Sequence, residues 1–145
     1  MTGKVVFDTS SLVGAALRPN SIPDQAVTLA LGKFQLCVSE ELLTQLSKIL
    51  RKSGFDKYVS LESRMDFLEA IRTGALWLPV AEATRKEAKG SCRDESDDFV
   101  LALALGAEAD IIVSSDHDLL VLHLWRGIAI VTPAEFLEKY GHQGD

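Results

Sequence analysis

The strongest constraint on the fold is a series of short, continuously apolar runs, each separated from the next by a segment with helical periodicity. These runs do not alternate apolar with polar residues, which is typical of strands that are buried on both faces of a parallel sheet. They predict five strands, at 5–9, 34–38, 75–80, 111–114 and 128–131. The predicted fold class is α/β, a three-layer α/β/α sandwich with a mostly parallel sheet of about five strands.

Capping residues indicate where several helices begin. Ser39 and Thr132 are suitable N-caps, Pro133 suits the first helical position, and Asp116 can cap a short helix through Leu122. Ser96 can cap a helix at 97–105 that is apolar on nearly every side and should be deeply buried. Further helices are predicted at 24–31, after Ser39, at 55–73 and at 133–140. We expect one domain at 1–140 and a frayed tail at 141–145.

The composition excludes several classes of protein. The chain has 145 residues, 47% of them hydrophobic and 25% charged, which argues against disorder. No apolar run is long enough to cross a bilayer, and the first residues run directly into a strand, so we expect no signal peptide and a cytoplasmic location. Cys37 and Cys92 are far apart in sequence and read as two free thiols.

The charge balance bears on nucleic-acid binding. A net charge of -6 counts against a generic nucleic-acid binder, although it does not exclude a nuclease, because a bound metal can offset local negative charge. The stretch 48–72 is richer in positive charge than the rest of the chain. It suits either an RNA track or a solvated helix face. Its basic residues are Lys48, Arg51, Lys52, Lys57, Arg64 and Arg72.

Acidic residues lie at the carboxyl ends of predicted strands and at the amino ends of predicted helices, and these ends share one edge of the sheet. In an open parallel sheet, ligands bind beyond the carboxyl ends of the strands. Each acid alone could instead complement a helix dipole or cap a helix, but Asp8 closes a buried central strand and needs a partner. The converging acids are Asp8, Asp97, Asp98 and Asp116, with Glu40 and Glu41 at the start of the helix after the second strand.

Clustered carboxylates become favourable when a divalent cation lies among them. Oxygen ligands without nearby Cys or paired His favour Mg²⁺ or Mn²⁺ over Zn²⁺. One ion can lower the pKa of a bound water, and a second can stabilise a leaving oxygen, so one or two ions are expected. No Gly-rich phosphate loop and no Ser-His-Asp or Cys-His arrangement is evident. The pattern therefore predicts metal-dependent hydrolysis of a phosphodiester.

Four segments together resemble the PIN-domain family, in particular its toxin-like branch in prokaryotic toxin–antitoxin systems. They are residues 5–13, 92–104, 109–120 and 130–137, which in order and spacing cover nearly the whole chain. The resemblance implies a metal-dependent endoribonuclease that acts on single-stranded RNA. It also implies a small antitoxin as partner and a homodimer.

The same resemblance assigns roles to individual residues. Asp8, Asp98 and Asp116 match the catalytic, metal-binding acids, and Asp97 is an adjacent metal ligand. Accessory positions are Asp118, Glu41, Gln45, Thr9 and Ser10. Thr9 and Ser10 match small polar residues that support the first Asp. Gln45 stands where the family usually has a metal-binding Glu, and Glu41 lies one helical turn earlier on nearly the same face.

Two functions from different classes follow from these residues. The first is an Mg²⁺- or Mn²⁺-dependent endoribonuclease that acts as the toxin of a toxin–antitoxin pair. The second is a degenerate PIN-like module that binds RNA or protein with weak or no nuclease activity, which the neutral Gln45 and the acidic composition favour.

Overall fold

The structure is a computed structural model that describes residues 3–92 and 97–141. Within these ranges the chain forms five strands, none of them longer than four residues. They are β1 (Lys4–Phe7), β2 (Gln35–Val38), β3 (Leu76–Trp77), β4 (Ile111–Val113) and β5 (Ala129–Val131). Every pairing between them is parallel. The predicted α/β class with a parallel five-stranded sheet is confirmed.

The strands are ordered β3-β2-β1-β4-β5 across the sheet. The first strand therefore lies at the centre, and the chain moves outward to β2 and β3 before it crosses back to β4 beside β1. Such a reversal of direction is a topological switch point, where the crevice beyond the carboxyl ends of the strands commonly holds a ligand. The crevice here lies between the ends of β1 and β4.

Eight α-helices connect the strands in the described part of the chain. The first four are α1 (Thr9–Leu17), α2 (Ile22–Lys33), α3 (Glu40–Leu50) and α4 (Leu61–Gly74). The remaining four are α5 (Glu82–Ala88), α6 (Asp98–Ala107), α7 (His117–Leu120) and α8 (Pro133–Tyr140). A short 3-10 helix, Ser53–Phe55, precedes α4. The predicted N-caps are confirmed where Ser39 accepts from the amide of Leu42 and Thr132 forms a capping box with Glu135.

The core is built on both faces of the central strand. Val5, Val6 and Phe7 are all fully buried, so helices must cover β1 on both sides. On one side Phe7 meets the ring of Phe136 from α8 edge-on, with centroids 6.0 Å apart. Helix α6 packs on β1 and β2 and, as expected from its apolar sequence, is buried along most of its length.

Several predicted boundaries differ from the structure. The strand predicted at 5–9 ends at Phe7, because Asp8 caps an unpredicted helix, α1. The helix predicted at 24–31 begins earlier, behind the cap Ser21, and continues through Gly32. The helix predicted at 55–73 begins only at Leu61, where Ser60 caps it. The strand predicted at 75–80 is reduced to two paired residues.

Some expectations fall on residues that the structure does not describe. Ser96, the predicted cap of α6, and the acidic residues Asp94 and Glu95 belong to this group. Of the tail predicted at 141–145, only Gly141 is described, and its amide donates to the carbonyl oxygen of Leu137 at 2.7 Å. Among the described helices, none combines the length and apolar character required to span a bilayer.

Candidate functional site

Asp8 is held at the junction of β1 and α1. Its side chain is 1% exposed, and its backbone amide donates to the carbonyl oxygen of Val113 at 3.1 Å, which continues the ladder between β1 and β4. Oδ1 accepts a hydrogen bond from the amide of Ser11 at 2.9 Å, so Asp8 is the N-cap of α1. A carboxylate is thus fixed at the carboxyl end of the central strand and at a helix N-terminus, where negative charge is favoured.

Ser114 connects Asp8 to Asp116. The Ser114 hydroxyl donates to Oδ2 of Asp8 at 2.6 Å and accepts from the amide of Asp116 at 2.9 Å. Ser114 itself is fully buried and follows β4 directly. Asp116 also caps α7, since its Oδ1 accepts from the amide of Asp118 at 2.9 Å. Ser114 therefore links the carboxylate of Asp8 to the backbone of Asp116 across the two neighbouring strand ends.

Burial makes the ionised form of Asp8 expensive. Desolvation raises the pKa of Asp8 above its usual value, and the negative charge of Asp116 raises it further. Hydrogen bonds from Ser11 and Ser114 act in the opposite direction and do not cancel the effect of burial. A cation at this point would relieve both the desolvation and the repulsion between the two acids.

A hollow of about 250 Å³ lies between the starts of α1 and α6 and the middle of α3, and Thr9, the residue after Asp8, lines it. Its polar lining comes from Thr9, Ser10, Gln45 and Asp97. The Thr9 hydroxyl donates to Oε1 of Gln45 at 2.9 Å, which fixes the amide at this edge of the sheet. The structure therefore brings four of the predicted residues together, although Gln45 contributes an amide oxygen and no charge.

Asp98 is directed away from this hollow toward the loop that precedes α6. Its Oδ2 accepts from the amide of Gly90 at 2.8 Å, and its Oδ1 accepts from the amide of Cys92 at 3.3 Å. Gly90 has a φ of 80°, a left-handed conformation that residues with a Cβ rarely adopt. The carboxylate of Asp98 thus holds the turn at 90–92, and the role predicted for it as a metal-binding acid stays a prediction.

The remaining accessory residues are arranged differently from one another. Asp118 lies at the start of α7, and its carbonyl oxygen accepts from the Cys92 thiol at 3.5 Å. Glu41 forms an ion pair with Arg85 of α5, so its charge is already compensated by an arginine. Glu41 lines a larger cleft that shares Gln45 with the hollow, and Glu41 does not line the hollow itself.

No group of three or more His, Cys, Asp or Glu side chains that could hold a metal ion occurs within residues 3–92 and 97–141. Mg²⁺ does not require such a group, because it keeps several waters and is often held by only one or two carboxylates together with substrate phosphates. Asp8 and Asp116 are two carboxylate residues at this edge of the sheet, and the role predicted for them as metal ligands stays a prediction. A carboxylate has about four lone-pair sites, and the hydrogen bonds from Ser11 and Ser114 use one on each oxygen of Asp8.

Two residues of the site were not anticipated from the sequence. Ser114 was assigned only to the fourth strand, yet its hydroxyl bonds both the carboxylate of Asp8 and the backbone amide of Asp116. Its signal is a polar residue at the end of a buried apolar run, immediately before Ser115 and Asp116. The sequence did not indicate that Arg85 pairs with Glu41, because Arg85 lies in a polar helix far from Glu41 in sequence.

Comparison with known proteins matches the arrangement to one family. A family model described as PIN domain matches residues 4–118. Uncharacterized protein MJ1680 of Methanocaldococcus jannaschii is 28% identical over 159 aligned residues, which span 94% of this chain and 91% of that protein. The matched segment contains β1, β4, Asp8 and Asp116, the elements that form the edge described above.

Solved structures share the fold at low sequence identity. PAE2754 from Pyrobaculum aerophilum superposes with a TM-score of 0.69 at 14% identity, over 99% of this chain and 100% of that chain. VapBC2 from Rickettsia felis, bound to a DNA fragment from its promoter, gives a TM-score of 0.61 at 13% identity, over 89% and 98%. FitAcB from Neisseria gonorrhoeae gives 0.59 at 14% identity, over 90% and 98%. The match over residues 4–118 and the shared fold confirm the resemblance inferred from the sequence: this chain belongs to the PIN-domain family.

Proposed function

We propose that the chain is a metal-dependent endoribonuclease that hydrolyses phosphodiester bonds of single-stranded RNA. One observation carries the proposal, namely that Asp8 and Asp116 lie at the switch point between β1 and β4, where the buried Ser114 hydroxyl bonds the carboxylate of Asp8 and the backbone amide of Asp116. Burial raises the pKa of Asp8, which means that the ionised carboxylate is destabilised in the folded protein. Carboxylates with such perturbed pKa values are found most often at functional sites in clefts, so Asp8 is a candidate functional residue. Membership of the PIN-domain family is the second support.

In this proposal Asp8 and Asp116 hold Mg²⁺ or Mn²⁺, and Asp97, which lines the adjoining hollow, is the third acid. Ser114 orients Asp8 and lowers its pKa by donating to its Oδ2, which opposes the effect of burial. Thr9 holds Gln45 in place, and the neutral amide orients water or substrate without adding charge. Asp98 fixes the turn at 90–92 and so sets the start of α6 and the position of Asp97.

When bound, a divalent ion supplies an acidified water and offsets the negative charge of the phosphate. The protein supplies the charge that attracts the ion and the geometry that keeps it. Burial of Asp8 at the N-terminus of α1 lowers the local dielectric constant, which would strengthen the interaction of its carboxylate with a cation. This arrangement suits a substrate that brings its own phosphate oxygens as the remaining ligands.

Cleavage of a fluorescently labelled, unstructured RNA tests the nuclease. We expect cleavage with Mg²⁺ or Mn²⁺, none in chelator, and a loss of about 10²-fold or more in Asp8→Asn, since a preorganised charge at the reacting centre is removed. Asp66→Asn, which changes an exposed carboxylate on α4, is the control and should cleave like the wild type. Equal cleavage by Asp8→Asn and the wild type would overturn the proposal.

The toxin role, an antitoxin partner and a homodimer extend the proposal, and the similarity to the toxin-like branch supports them. Expression of the wild-type chain in a bacterial host should arrest growth, whereas expression of Asp8→Asn to the same level should not. Co-expression of a small protein encoded next to this gene should restore growth. Normal growth with soluble, active wild-type protein would contradict the toxin role while leaving the nuclease intact.

A degenerate binding module is the second candidate, and two contacts favour it. Asp98 accepts from two backbone amides, and Gln45 replaces a charged ligand with an amide bonded to Thr9. This candidate predicts RNA or protein binding that does not respond to Mg²⁺ or Mn²⁺. Calorimetry that shows no heat of binding with either ion at millimolar concentration would favour it over the nuclease.

A further inference from the structure

A cleft of about 1090 Å³ runs along α3 and adjoins the small hollow at the start of α1. Helix α3 forms one wall, the segment that follows β3 forms another, and Arg85 and Phe99 also line the cleft. Gln45, Ile49 and Phe99 line both this cleft and the small hollow beside Asp8. A chain molecule lying in the cleft would therefore be led to the edge that carries the acids.

Trp77 presents an aromatic surface in this cleft. It lies in the edge strand β3 and is 42% exposed, although large aromatic side chains are usually well covered. Its Nε1 donates to the carbonyl oxygen of Arg72 at 2.9 Å, and the Arg72 guanidinium lies 5.5 Å from the ring centroid. The indole is thus fixed in orientation with its polar atom already bonded, so what it offers to a ligand is the ring itself.

Positive charge lines the same cleft. Lys48 lies in the last turn of α3 and Lys52 follows the helix, and both are exposed. Glu41 and Arg85 neutralise each other as an ion pair, which leaves the two lysines facing Glu40. In a chain with a net charge of -6, this local excess of positive charge is complementary to a polyanion.

The basic surface is narrower than the stretch 48–72 suggests. Arg64 is fully buried and donates to the carbonyl oxygens of Leu50 and Lys52 at 2.9 Å each, as well as to Asp56. It joins α4 to the end of α3 and does not face a ligand. Because Arg72 is stacked on Trp77, the charges left to contact phosphates in the cleft are those of Lys48 and Lys52.

We propose that this cleft binds the single-stranded RNA, with a base stacked on Trp77 and neighbouring phosphates contacting Lys48 and Lys52. The inference rests on the proposed function, since it names the route by which the substrate reaches Asp8. Leu78, Pro79 and Val80 provide apolar walls that suit the faces of bases and apolar side chains alike. Lys48, Lys52 and the Trp77 ring favour RNA over an apolar peptide as the ligand, because proteins hold single strands with aromatic rings that stack on bases beside a cationic groove.

Binding of a fluorescein-labelled oligouridylate, followed by anisotropy in chelator so that no turnover occurs, tests the inference. Trp77→Ala should weaken binding about 5- to 150-fold, the range for loss of one stacked base, while Trp77→Phe should retain most of the affinity. Lys48→Gln with Lys52→Gln should lower the slope of log affinity against log salt by about 1.4, since each phosphate contact to a single strand contributes about 0.7. Trp77→Ala should leave that slope unchanged.

The chain offers matched controls outside the cleft. Tyr58→Ala removes an aromatic ring that is 65% exposed, and the pair Lys57→Gln with Lys139→Gln removes two exposed charges. Both should bind oligouridylate like the wild type. Circular dichroism and thermal unfolding of each variant verify the fold, and Trp77→Phe keeps the ring if Trp77→Ala does not fold.

Failure of the inference is distinct from failure of the proposed function. If the cleft variants bind within twofold of the wild type, the cleft is not the track, even where Asp8-dependent cleavage is intact. If the cleft variants lose binding but neither the wild type nor any variant cleaves RNA, the cleft is an RNA-binding site and the proposed nuclease activity is wrong. Wild-type protein that does not bind oligouridylate overturns the track, and an apolar peptide that binds in its place in a Trp77-dependent manner identifies a protein partner instead.

Discussion

Ser114 donates its hydroxyl hydrogen to Oδ2 of Asp8 at 2.6 Å, across the boundary between the two central strands. The residues are 106 positions apart in sequence, and the parallel pairing of β1 with β4 alone brings them together. A short hydrogen bond from a hydroxyl to a carboxylate stabilises the ionised form in a place where burial disfavours it. In the proposed metal site, this bond would favour the ionised carboxylate that a cation requires.

Replacing Ser114 tests this role. In Ser114→Ala the pKa of Asp8 should rise further, because a hydrogen bond that lowers it is lost. The acid limb of kcat/KM for RNA cleavage should then move to higher pH. We also expect a stability loss of about 1–3 kcal/mol, since the amide of Asp116 loses its acceptor. Ser115→Ala, at the exposed neighbouring position, is the control, and an unchanged acid limb in Ser114→Ala would contradict the role.

The raised pKa of Asp8 has a consequence for stability against pH. Between the unfolded and folded pKa values, the folded state binds more protons than the unfolded state. The stability from this group is therefore complete below the unfolded pKa of about 3.9 and is lost as the pH rises through the folded pKa. Asp8→Asn cannot ionise, so in chelator its stability relative to wild type should increase from acidic to neutral pH. Urea unfolding over a pH series measures the difference, which must vary with pH in this direction.

Divalent ions should stabilise the wild type more than Asp8→Asn, which is the opposite of the effect of ionised Asp8 without an ion. An ion that binds only the folded wild type at a concentration 100 times its Kd adds about 2.7 kcal/mol to the free energy of unfolding. Asp8→Asn should gain much less from Mg²⁺ or Mn²⁺, whereas Asp66→Asn should gain as much as the wild type. Equal stabilisation of all three proteins would place any bound ion away from Asp8.

Asp97 and Asp98 should differ in what they control, although they are adjacent. Asp98→Asn removes charge from a carboxylate that accepts from Gly90 and Cys92, so we expect a stability loss of about 1–3 kcal/mol. Asp97→Asn should weaken Mn²⁺ binding with a smaller loss of stability. Urea unfolding and Mn²⁺ titration of both variants measure these effects, and the reverse pattern would return the metal-binding role to Asp98.

Gln45→Glu should strengthen the site. The new carboxylate would lie in the hollow with Asp97 and would add one negative charge near the ion. We expect Mn²⁺ affinity to rise about tenfold, or ~1.4 kcal/mol, well below the ~4 kcal/mol between unit charges 4 Å apart at an effective dielectric constant of 20. Gln25→Glu on the exposed surface of α2 is the control. Unchanged affinity in Gln45→Glu would show that position 45 does not face the ion.

Local chemistry explains which parts of the structure were predictable. Ser39 and Thr132 were identified as caps because their hydrogen bonds reach only three residues along the chain. The order of strands and helices followed from apolar runs for the same reason. Helix α1 was missed because its first turn, Thr9 to Ser11, is polar and its cap Asp8 directly follows a strand.

The unpredicted features depend on contacts between distant segments. The direction of Asp98 is set by the amides of Gly90 and Cys92, and the burial of Arg64 by carbonyls at the end of α3. The identity of Asp98 or Arg64 does not indicate which backbone groups it will contact. The convergence of Asp8 and Asp116 was predictable because parallel strands end on a common edge, whereas the serine between them required the register of β1 against β4.

A crystal of this chain soaked in Mn²⁺ tests the central claim most directly, because the ion can be located by its anomalous scattering. The account predicts a peak in contact with carboxylate oxygens of both Asp8 and Asp116 in the wild type, and its loss in Asp8→Asn. A peak that persists in Asp8→Asn, or that lies only at acids elsewhere on the molecule, would contradict the claim that these two acids form the metal site.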